Sequence, residues 1–398
     1  MFIASNSMRP YITKYKKLLS WKCDHDPISI DIDFASFKAG KAYWRHNNAL
    51  LKDDQYVFRI KNYIRLTLAK YVNMEGFDNF FAQASEEQLA HFLNQSNDYY
   101  FNLDFNINPC LLLDMILNDA RCESISYDAE IKRLNRNREK NLLDDLGIAK
   151  ELTDKYPNNK AYLNEFEEKQ GAYNNFLDDK AKQLIYERGI DFKALGERPT
   201  SFFLNLEKNS CAQKYINELK TVKNREEIMT TSQNEIDTEI RNYYKSLYSC
   251  KDSLLTFDSI NDFMSDDLPF IEHKKLTDFQ AQQLEGEITE AEVLQILKKS
   301  KNNTSPGISG FTYSFYKVFW SDLKIFIINA MNHSFQIKQI PPSQSRGVIS
   351  IIPKGDKDRS LLENWRPLTV LNIFYKLTSG VIASRINKIL DFTKKIHR

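Results

Sequence analysis

The chain has 398 residues, of which 42% are hydrophobic, 13% aromatic and 27% charged, and its 55 Lys and Arg nearly balance its 53 Asp and Glu. This length predicts two or three domains with packed cores. The aromatic content excludes an intrinsically disordered chain, and the 12 Gly and 11 Pro exclude a collagen-like one. The five cysteines are widely spaced and form no C-x-x-C pair, so neither a disulfide framework nor a zinc site is predicted.

Two features of the sequence bear on the compartment of the protein. The first residues lack a basic segment followed by an apolar one, and no apolar run approaches the ~18 residues that a membrane span requires. Scattered, unpaired cysteines are typical of a reducing compartment. The sequence therefore predicts an intracellular protein of the nucleus, the cytoplasm or both, without a membrane segment, and it leaves the oligomeric state open.

The formal net charge of +2 hides an asymmetry that appears when the chain is divided at Pro306. From Pro306 onward there are 14 Lys and Arg against 5 Asp and Glu, a formal charge of +9, whereas the preceding residues carry −7. A basic segment of this kind is typical of proteins that contact a polyanion, and nucleic acid is the commonest one. The last quarter of the chain is therefore the first place to look for a nucleic-acid contact.

In chain order, the first predicted element is a strand over residues 28–34, where apolar and polar residues alternate. This strand is expected to stand alone, because residues 40–230 are predicted to be mainly helical. The apolar residues of one predicted helix are Val57, Ile60, Ile64 and Leu68. Residues 125–190 are predicted to form an extended helical pair or a coiled-coil-like arm. Its apolar stripe consists of Tyr162, Phe166, Tyr173, Leu177 and Leu184.

Near residue 270 the polar arm gives way to a segment predicted to be a compact α+β region. A capping box of Thr289 and Glu292 opens a helix that ends at residues 302–307. The next helical face, expected to be broken near Ser321, consists of Phe311, Phe315, Val318, Phe319, Leu323, Phe326, Ile327, Ala330 and Met331. Residues 348–352 are β-branched and predict a buried strand. The final predicted helix carries Phe374, Leu377, Val381, Ile386 and Ile389.

Three short motifs follow one another between residues 305 and 372. They are the turn S-P-G-I-S-G-F at 305–311, the segment I-I-P-K-G-D at 351–356 and the segment N-W-R-P-L-T-V-L-N at 364–372. Each alone is a loop signature of low specificity. In this order and spacing they resemble the first blocks of the reverse transcriptase of LINE-type (non-LTR) retrotransposons, in which S-P-G-x-D-G precedes I-P-K and N-[FW]-R-P-I-S-L-x-N. The chain has Ser309 where that family usually has Asp.

The resemblance implies the fingers of a right-hand polymerase, with the turn formed by Ser305, Pro306, Gly307 and Gly310. It also implies that Lys354 and Arg366 contact the phosphates of nucleotide or template, for which charge-assisted hydrogen bonds are suited. Without the family, an ordinary solvated Lys and a helix-capping Arg would be the simpler interpretation.

Two upstream segments extend the resemblance. Residues 23–30 are similar to the S-D-H-x-P-[IV] signature at the end of an apurinic-endonuclease-like domain, which implies that Asp24 and His25 are a remnant of that active site. Residues 40–53 and 197–207 are similar to blocks of the connector between endonuclease and polymerase, and their aromatic residues are interpreted first as packing residues. The resemblance covers the chain from about Asp24 to Ile389.

The catalytic groups of the family are expected to be missing. Nucleotidyl transfer needs two metal ions held by aspartates of the palm, but after Arg366 the sequence contains one acid, Asp391. The chain is therefore interpreted as a fragment or degenerate copy, which cleaves and polymerises nothing and holds no metal or other cofactor. Mg²⁺ is expected only for the complete enzyme, whose family role is target-primed reverse transcription.

The sequence as a whole predicts an α+β protein that is predominantly helical, with an extended helical arm and a small β-containing fingers subdomain. The predicted domains are an endonuclease remnant at 1–36, a helical connector at 37–230, a helical extension at 231–300 and a partial reverse transcriptase at 301–398. The expected partner is RNA or DNA, bound weakly and in a salt-sensitive way. The alternative is a helical interaction protein whose arm binds a partner helix.

Overall fold

The computed structural model describes residues 12–17, 28–32, 43–188, 216, 218–223, 226–249, 276–302, 304–355 and 357–396. The strands are β1 (Ile12–Lys17), β2 (Ile28–Ile32), β3 (Leu219–Lys223), β4 (Glu226–Thr230), β5 (Gly347–Pro353) and β6 (Trp365–Leu371). The helices up to the middle of the chain are α1 (Asp54–Tyr71), α2 (Phe80–Gln83), α3 (Glu86–Leu93), α4 (Asn97–Phe101), α5 (Pro109–Lys155) and α6 (Lys160–Arg188). The later helices are α7 (Gln233–Tyr248), α8 (Asp278–Leu284), α9 (Glu290–Lys299), α10 (Tyr313–Val318), α11 (Trp320–Gln336), α12 (Pro342–Ser345) and α13 (Ile373–Ile396).

The strands form three antiparallel pairs, β1 with β2, β3 with β4 and β5 with β6. The fold is therefore α+β and predominantly helical, as the sequence predicts. The described chain divides into two compact units, and the division falls within α1 and within α5. The first unit comprises Met1–Tyr63 and Asp119–Phe192, and the second comprises Ile64–Asn118 and Lys193–Arg398.

The first unit contains the predicted helical arm. Its two helices are antiparallel, because Glu139 near the start of the arm pairs with Lys180 and Thr153 near its tip donates to the backbone carbonyl of Tyr162. Asn159 begins α6 by accepting a hydrogen bond from the Ala161 amide. The prediction of an extended helical pair is confirmed.

The second unit has a core of aromatic and aliphatic residues from α9, α10, α11 and α13. Its most deeply buried members include Val293, Phe315, Phe319, Leu323, Ile327, Ile373 and Leu377. The predicted break in the 311–331 face lies at Phe319, which ends α10 and caps α11. The capping box of Thr289 and Glu292 is present at the start of α9.

Two expectations about strands are wrong. The strand at 28–32 does not stand alone, because it pairs with β1. The described part of the region 40–230 is mainly helical, as predicted, and it also contains the hairpin of β3 and β4, in which Thr221 pairs with Ile228. The strand β5 is not buried, since Ile349 and Ile352 are 50% and 45% exposed. A short two-stranded hairpin has too little packed surface to bury both of its faces.

Candidate nucleic-acid interface

The turn at residues 305–310 is closed by hydrogen bonds from main-chain amides. The amide of Gly310 donates to the carbonyl of Gly307 at 3.0 Å. Gly310 has φ of +83°, a conformation that favours glycine. Ser309, which stands where the resembled family has Asp, donates its own amide to Asn372 Oδ1 at 3.0 Å. The turn therefore closes without help from the side chain of residue 309.

Gly307 lies directly against the end of β6. A Cβ atom at this position would lie 2.5 Å from the backbone nitrogen of Asn372 and 2.6 Å from the carbonyl carbon of Leu371. Both of these atoms belong to the main chain, so they cannot move aside as a flexible side chain would. Only glycine fits this contact, which gives the first glycine of the S-P-G turn a physical reason.

Asn372 joins the first motif to the third. Its side chain is fully buried, its Oδ1 accepts from the Ser309 amide, and its Nδ2 donates to the carbonyl of Ser343 at 2.9 Å. Lys376, one turn further along α13, donates from Nζ to the carbonyl of Ser305 at 3.2 Å. Burial lowers the pKa of Lys376. The turn, the end of β6 and the start of α13 are therefore one hydrogen-bonded structure.

A carboxylate at the beginning of α5 supports this structure from a second side. Asp114 accepts hydrogen bonds from Ser343 Oγ and from Gln344 Nε2, both at 2.5 Å. Ser343 is the residue whose carbonyl holds Asn372. Sequence reasoning gave no role to Asp114, Asn372 or Lys376. Asn372 closes the third motif, which was the only signal available for any of them.

Lys354 and Arg366 lie together on the outer face of the β5–β6 hairpin. Ile352 pairs with Arg366, and beyond the strand the Lys354 amide donates to the Asn364 carbonyl at 2.8 Å. Because side chains alternate along a strand, Lys354 and Arg366 project from the same face as diagonal neighbours. The two cations that the resemblance singles out are therefore adjacent.

The two cations differ in how they are held. Lys354 Nζ donates one hydrogen bond to the Glu363 carbonyl at 2.7 Å, which directs the ammonium along the hairpin end. Arg366 is exposed and makes no ion pair or hydrogen bond with any residue that the structure describes. A guanidinium without an acidic partner can offer its full set of donors to a phosphate.

Apolar side chains surround Arg366 on the same face. Ile352 and Leu368 are 45% and 51% exposed, and Val348 and Val370, which pair with each other, are half-buried. Ile351, in contrast, packs against a cluster on the inner face.

The inner face of the hairpin is anchored by Trp365. Its indole is buried with Ile216, Leu219 and Ile236, and its Nε1 donates to the carbonyl of Arg359 at 2.8 Å. Next to Arg359, Asp358 accepts hydrogen bonds from Ser360 and Lys220, which lower its pKa to about 2. The anchor fixes which face of the hairpin points outward, and that outward face carries Arg366.

The turn and the two cations are not one compact site. Gly307 lies against the end of β6 at Leu371, whereas Arg366 lies near the beginning of the same strand. The intervening strand spans about 17 Å. The structure therefore separates a rigid base, formed by the turn and Asn372, from a basic tip formed by Lys354 and Arg366.

The remaining predicted site residues, Asp24 and His25, lie outside the described residues, as does the connector block at 197–207. In the described part of the chain no three His, Cys, Asp or Glu side chains are grouped as metal ligands would be. None of the described helices combines the length and the apolar character that crossing a bilayer requires.

A comparison with known proteins links the chain to a transposon. No family model matches it. The chain is similar to a protein of Xenopus laevis described as "Transposon TX1 uncharacterized 149 kDa protein", with 24% identity over 367 residues. The match covers 92% of this chain but only 25% of that protein. The chain therefore spans about a quarter of the length of its transposon-encoded relative.

Proposed function

We propose that residues 301–398 are the fingers part of a reverse transcriptase of a non-LTR retrotransposon and that the β5–β6 hairpin binds the sugar-phosphate backbone of RNA or DNA. Similarity to a transposon-encoded protein over 92% of the chain supports a retrotransposon origin. The order of the three motifs between residues 305 and 372 supports the narrower assignment to the polymerase.

The contact between Gly307 and Asn372 carries this proposal. The two residues come from motifs that are more than sixty positions apart, and they meet with no space for a side chain. If the motifs matched the family only by chance, their loops would have no reason to pack against each other. The close contact between Gly307 and Asn372 therefore supports the view that the first and third motifs belong to one functional structure.

The proposed binding step uses charge and not catalysis. Lys354 places an ammonium and Arg366 a guanidinium on one face of the hairpin, where both can donate to phosphate oxygens. From Arg366 onward the sequence contains a single acid, Asp391. Two-metal nucleotidyl transfer needs a set of carboxylates, so we propose that this 398-residue chain binds nucleic acid without extending a primer. Mg²⁺ has no assigned role in this binding.

The same proposal assigns residues 1–36 to the end of an apurinic-endonuclease-like domain, with Asp24 and His25 as its remnant motif. It also places the protein in the nucleus, the cytoplasm or both, where RNA and chromosomal DNA occur. Both assignments rest on the resemblance.

A salt titration tests the proposed binding. The dissociation constant of the whole chain for a labelled single-stranded RNA is measured over a series of salt concentrations, with wild type and with the double variant Lys354→Gln/Arg366→Gln. If each cation neutralises one phosphate, the slope of log affinity against log salt becomes less negative by about 1.4 in the variant.

The control is the double variant Arg241→Gln/Lys245→Gln on α7, which removes the same charge from exposed positions outside the hairpin. Its slope is expected to equal that of wild type. Equal losses of RNA affinity in the hairpin and control variants, or no RNA binding by the wild type even at low salt, would contradict the proposal. A primer-extension product that depends on Mg²⁺ would contradict the part that excludes polymerisation.

A further inference from the structure

The arm carries a basic segment that the proposed function does not use. Between residues 132 and 140 of α5 the sequence K-R-L-N-R-N-R-E-K contains five cations. They are Lys132, Arg133, Arg136, Arg138 and Lys140. Their contacts divide them into two groups.

The first group is engaged within the arm. Lys132 Nζ lies 2.6 Å from Asp128 Oδ2, one turn earlier on α5. The guanidinium carbon of Arg138 lies 5.7 Å from the centre of the Phe176 ring on α6, a cation–π contact. These two cations have partners on the arm itself.

The second group, which we call the arm stripe, consists of Arg133, Arg136 and Lys140. The three residues are spaced by three and four positions, so they lie on one face of α5 over about 10 Å of helix. All three are exposed, and among the described residues none of them forms an ion pair. Arg136 donates a hydrogen bond from Nε to the backbone carbonyl of Lys132.

Most nearby acids are occupied by other cations. Glu130, before the stripe, lies 2.8 Å from Arg59 Nη1, and Glu139 is held at 2.8 Å by Lys180. Asp144, one turn after Lys140, is exposed and marks the end of the stripe. Among the side chains that the structure describes, none therefore neutralises the positive charge of the arm stripe between Glu130 and Asp144.

We propose that the arm stripe is a second nucleic-acid contact, which binds successive phosphates of an RNA or DNA strand. This site goes beyond the proposed function, because it uses other residues in the other compact unit. A protein interface would need buried aromatic or apolar anchors at its centre. Asn137 lies among the three cations of this face, and Leu143, which is 36% exposed, follows beyond them. A phosphate backbone requires cations and amide donors without apolar anchors, and this face supplies both.

The test removes the three cations of the arm stripe and compares the effect with that of removing three other cations of the arm. The triple variant Arg133→Gln/Arg136→Gln/Lys140→Gln is titrated with salt against a labelled DNA duplex and a labelled RNA hairpin. For the duplex the slope of log affinity against log salt is expected to become less negative by about 2.7, and affinity at low salt to fall about tenfold or more.

The matched control is the triple variant Lys132→Gln/Lys169→Gln/Lys180→Gln, which removes three cations that are paired with acids on the arm. It changes the net charge by the same amount and is expected to keep the wild-type slope. A charge-conserving variant, Arg133→Lys/Arg136→Lys, is expected to bind like wild type, since a phosphate accepts either cation. Circular dichroism checks that the helices of each variant are intact.

Equal losses of affinity in the stripe and control variants would overturn the proposal that the arm stripe binds nucleic acid. An unchanged slope of log affinity against log salt in the stripe variant would overturn it as well. The hairpin variant Lys354→Gln/Arg366→Gln is measured beside them. Because the two surfaces share no residue, an effect of the hairpin variant without one of the stripe variant overturns only this inference. The opposite result overturns only the hairpin proposal.

Discussion

Two polar clusters, one in each compact unit, are held together in different ways. In the first, His46 Nε2 lies 2.7 Å from Tyr56 Oη, which lies 2.7 Å from Ser124 Oγ, and none of these groups needs a charge. In the second, Arg385 donates to both carboxylate oxygens of Glu292, at 2.7 and 2.9 Å. Arg385 also donates to the backbone carbonyl of Gly286 at 2.9 Å.

This difference sets the pH at which each of the two clusters stops stabilising the fold. Burial lowers the pKa of His46 to about 4, because the charged imidazolium is excluded from the interior. Hydrogen bonds from Arg385 lower the pKa of Glu292 to about 2, because they stabilise the carboxylate. A neutral network therefore weakens in mild acid, whereas the ion pair persists until the pH is much lower.

The largest expected effect comes from Gly307→Ala in the second unit. The added Cβ meets the backbone of Asn372 and Leu371, so the turn and the end of β6 must separate. We expect a loss of about 3 kcal/mol in the free energy of unfolding. Chemical denaturation measures this loss, and hydrogen exchange at the Ser309 amide reports on the turn. A variant as stable as wild type would show that this contact is not formed.

The same substitution in the arm has the opposite expected sign. Gly147 lies within α5, and a Cβ there meets no atom within 4 Å. Because alanine favours the helix, we expect Gly147→Ala to raise the free energy of unfolding by about 1 kcal/mol. This variant is the control for Gly307→Ala, since both add one methyl group to a glycine.

The second effect in size is the response of the first unit to mild acid. Between pH 6.5 and 4, unfolded chains protonate the His46 imidazole while the folded protein keeps it neutral. The contribution of neutral His46 to the free energy of unfolding is therefore fully present above pH 6.5, and the free energy falls by about 2 to 3 kcal/mol as the pH approaches 4. His46→Gln is expected to reduce this pH dependence in urea titrations. His91→Gln, at an exposed histidine, should leave it intact.

A smaller effect is expected from Glu292→Gln in the second unit. The folded pKa of Glu292 lies below its ordinary value of 4.5, so the ion pair stabilises the protein above pH 4.5 and is lost as the pH falls toward 2. We expect Glu292→Gln to cost about 2 kcal/mol at neutral pH, with the difference from wild type shrinking below pH 4.5. Glu290→Gln, which removes an exposed pair with Lys324, should cost less than ~1 kcal/mol.

The smallest effect is expected at the surface of the arm. Lys180 and Glu139 form an ion pair at 2.8 Å, but the Lys180 side chain is 48% exposed. Such a pair contributes about 0.5 kcal/mol, which added salt screens further. A double-mutant cycle with Lys180→Gln and Glu139→Gln measures the coupling. A coupling above ~2 kcal/mol would mean that the arm, like the second unit, depends on charged pairs.

Local signals in the sequence found several features of the fold. The alternation at 28–34 predicted a strand, the capping box at Thr289 predicted the start of α9, and the apolar stripe at 162–184 predicted the arm. Each of these depends on residues within a turn or two of one another. Pairing was not predictable in the same way, since the partner of β2 lies in another segment and the β3–β4 hairpin looked helical in its polar surroundings.

For the candidate site, the resemblance to a family located the three motifs in the sequence but did not predict which of their residues contact one another. Lys354 and Arg366 were named from the sequence, and their position on one hairpin face follows from the strand register. Their function stays a prediction, as does that of Asp24 and His25. The partnership of Glu292 with Arg385 and the support that Asp114 gives to Ser343 had no sequence signal.

By itself, the sequence determined the helical character of the chain, its basic last quarter and the positions of its three motifs, because periodicity, charge and turn chemistry act over neighbouring residues. Only the tertiary structure decided that Gly307 touches Asn372, that Trp365 fixes the outward face of the hairpin and that Arg133, Arg136 and Lys140 form no ion pair with any described residue. These contacts join residues far apart in the chain, and their geometry depends on how whole elements pack.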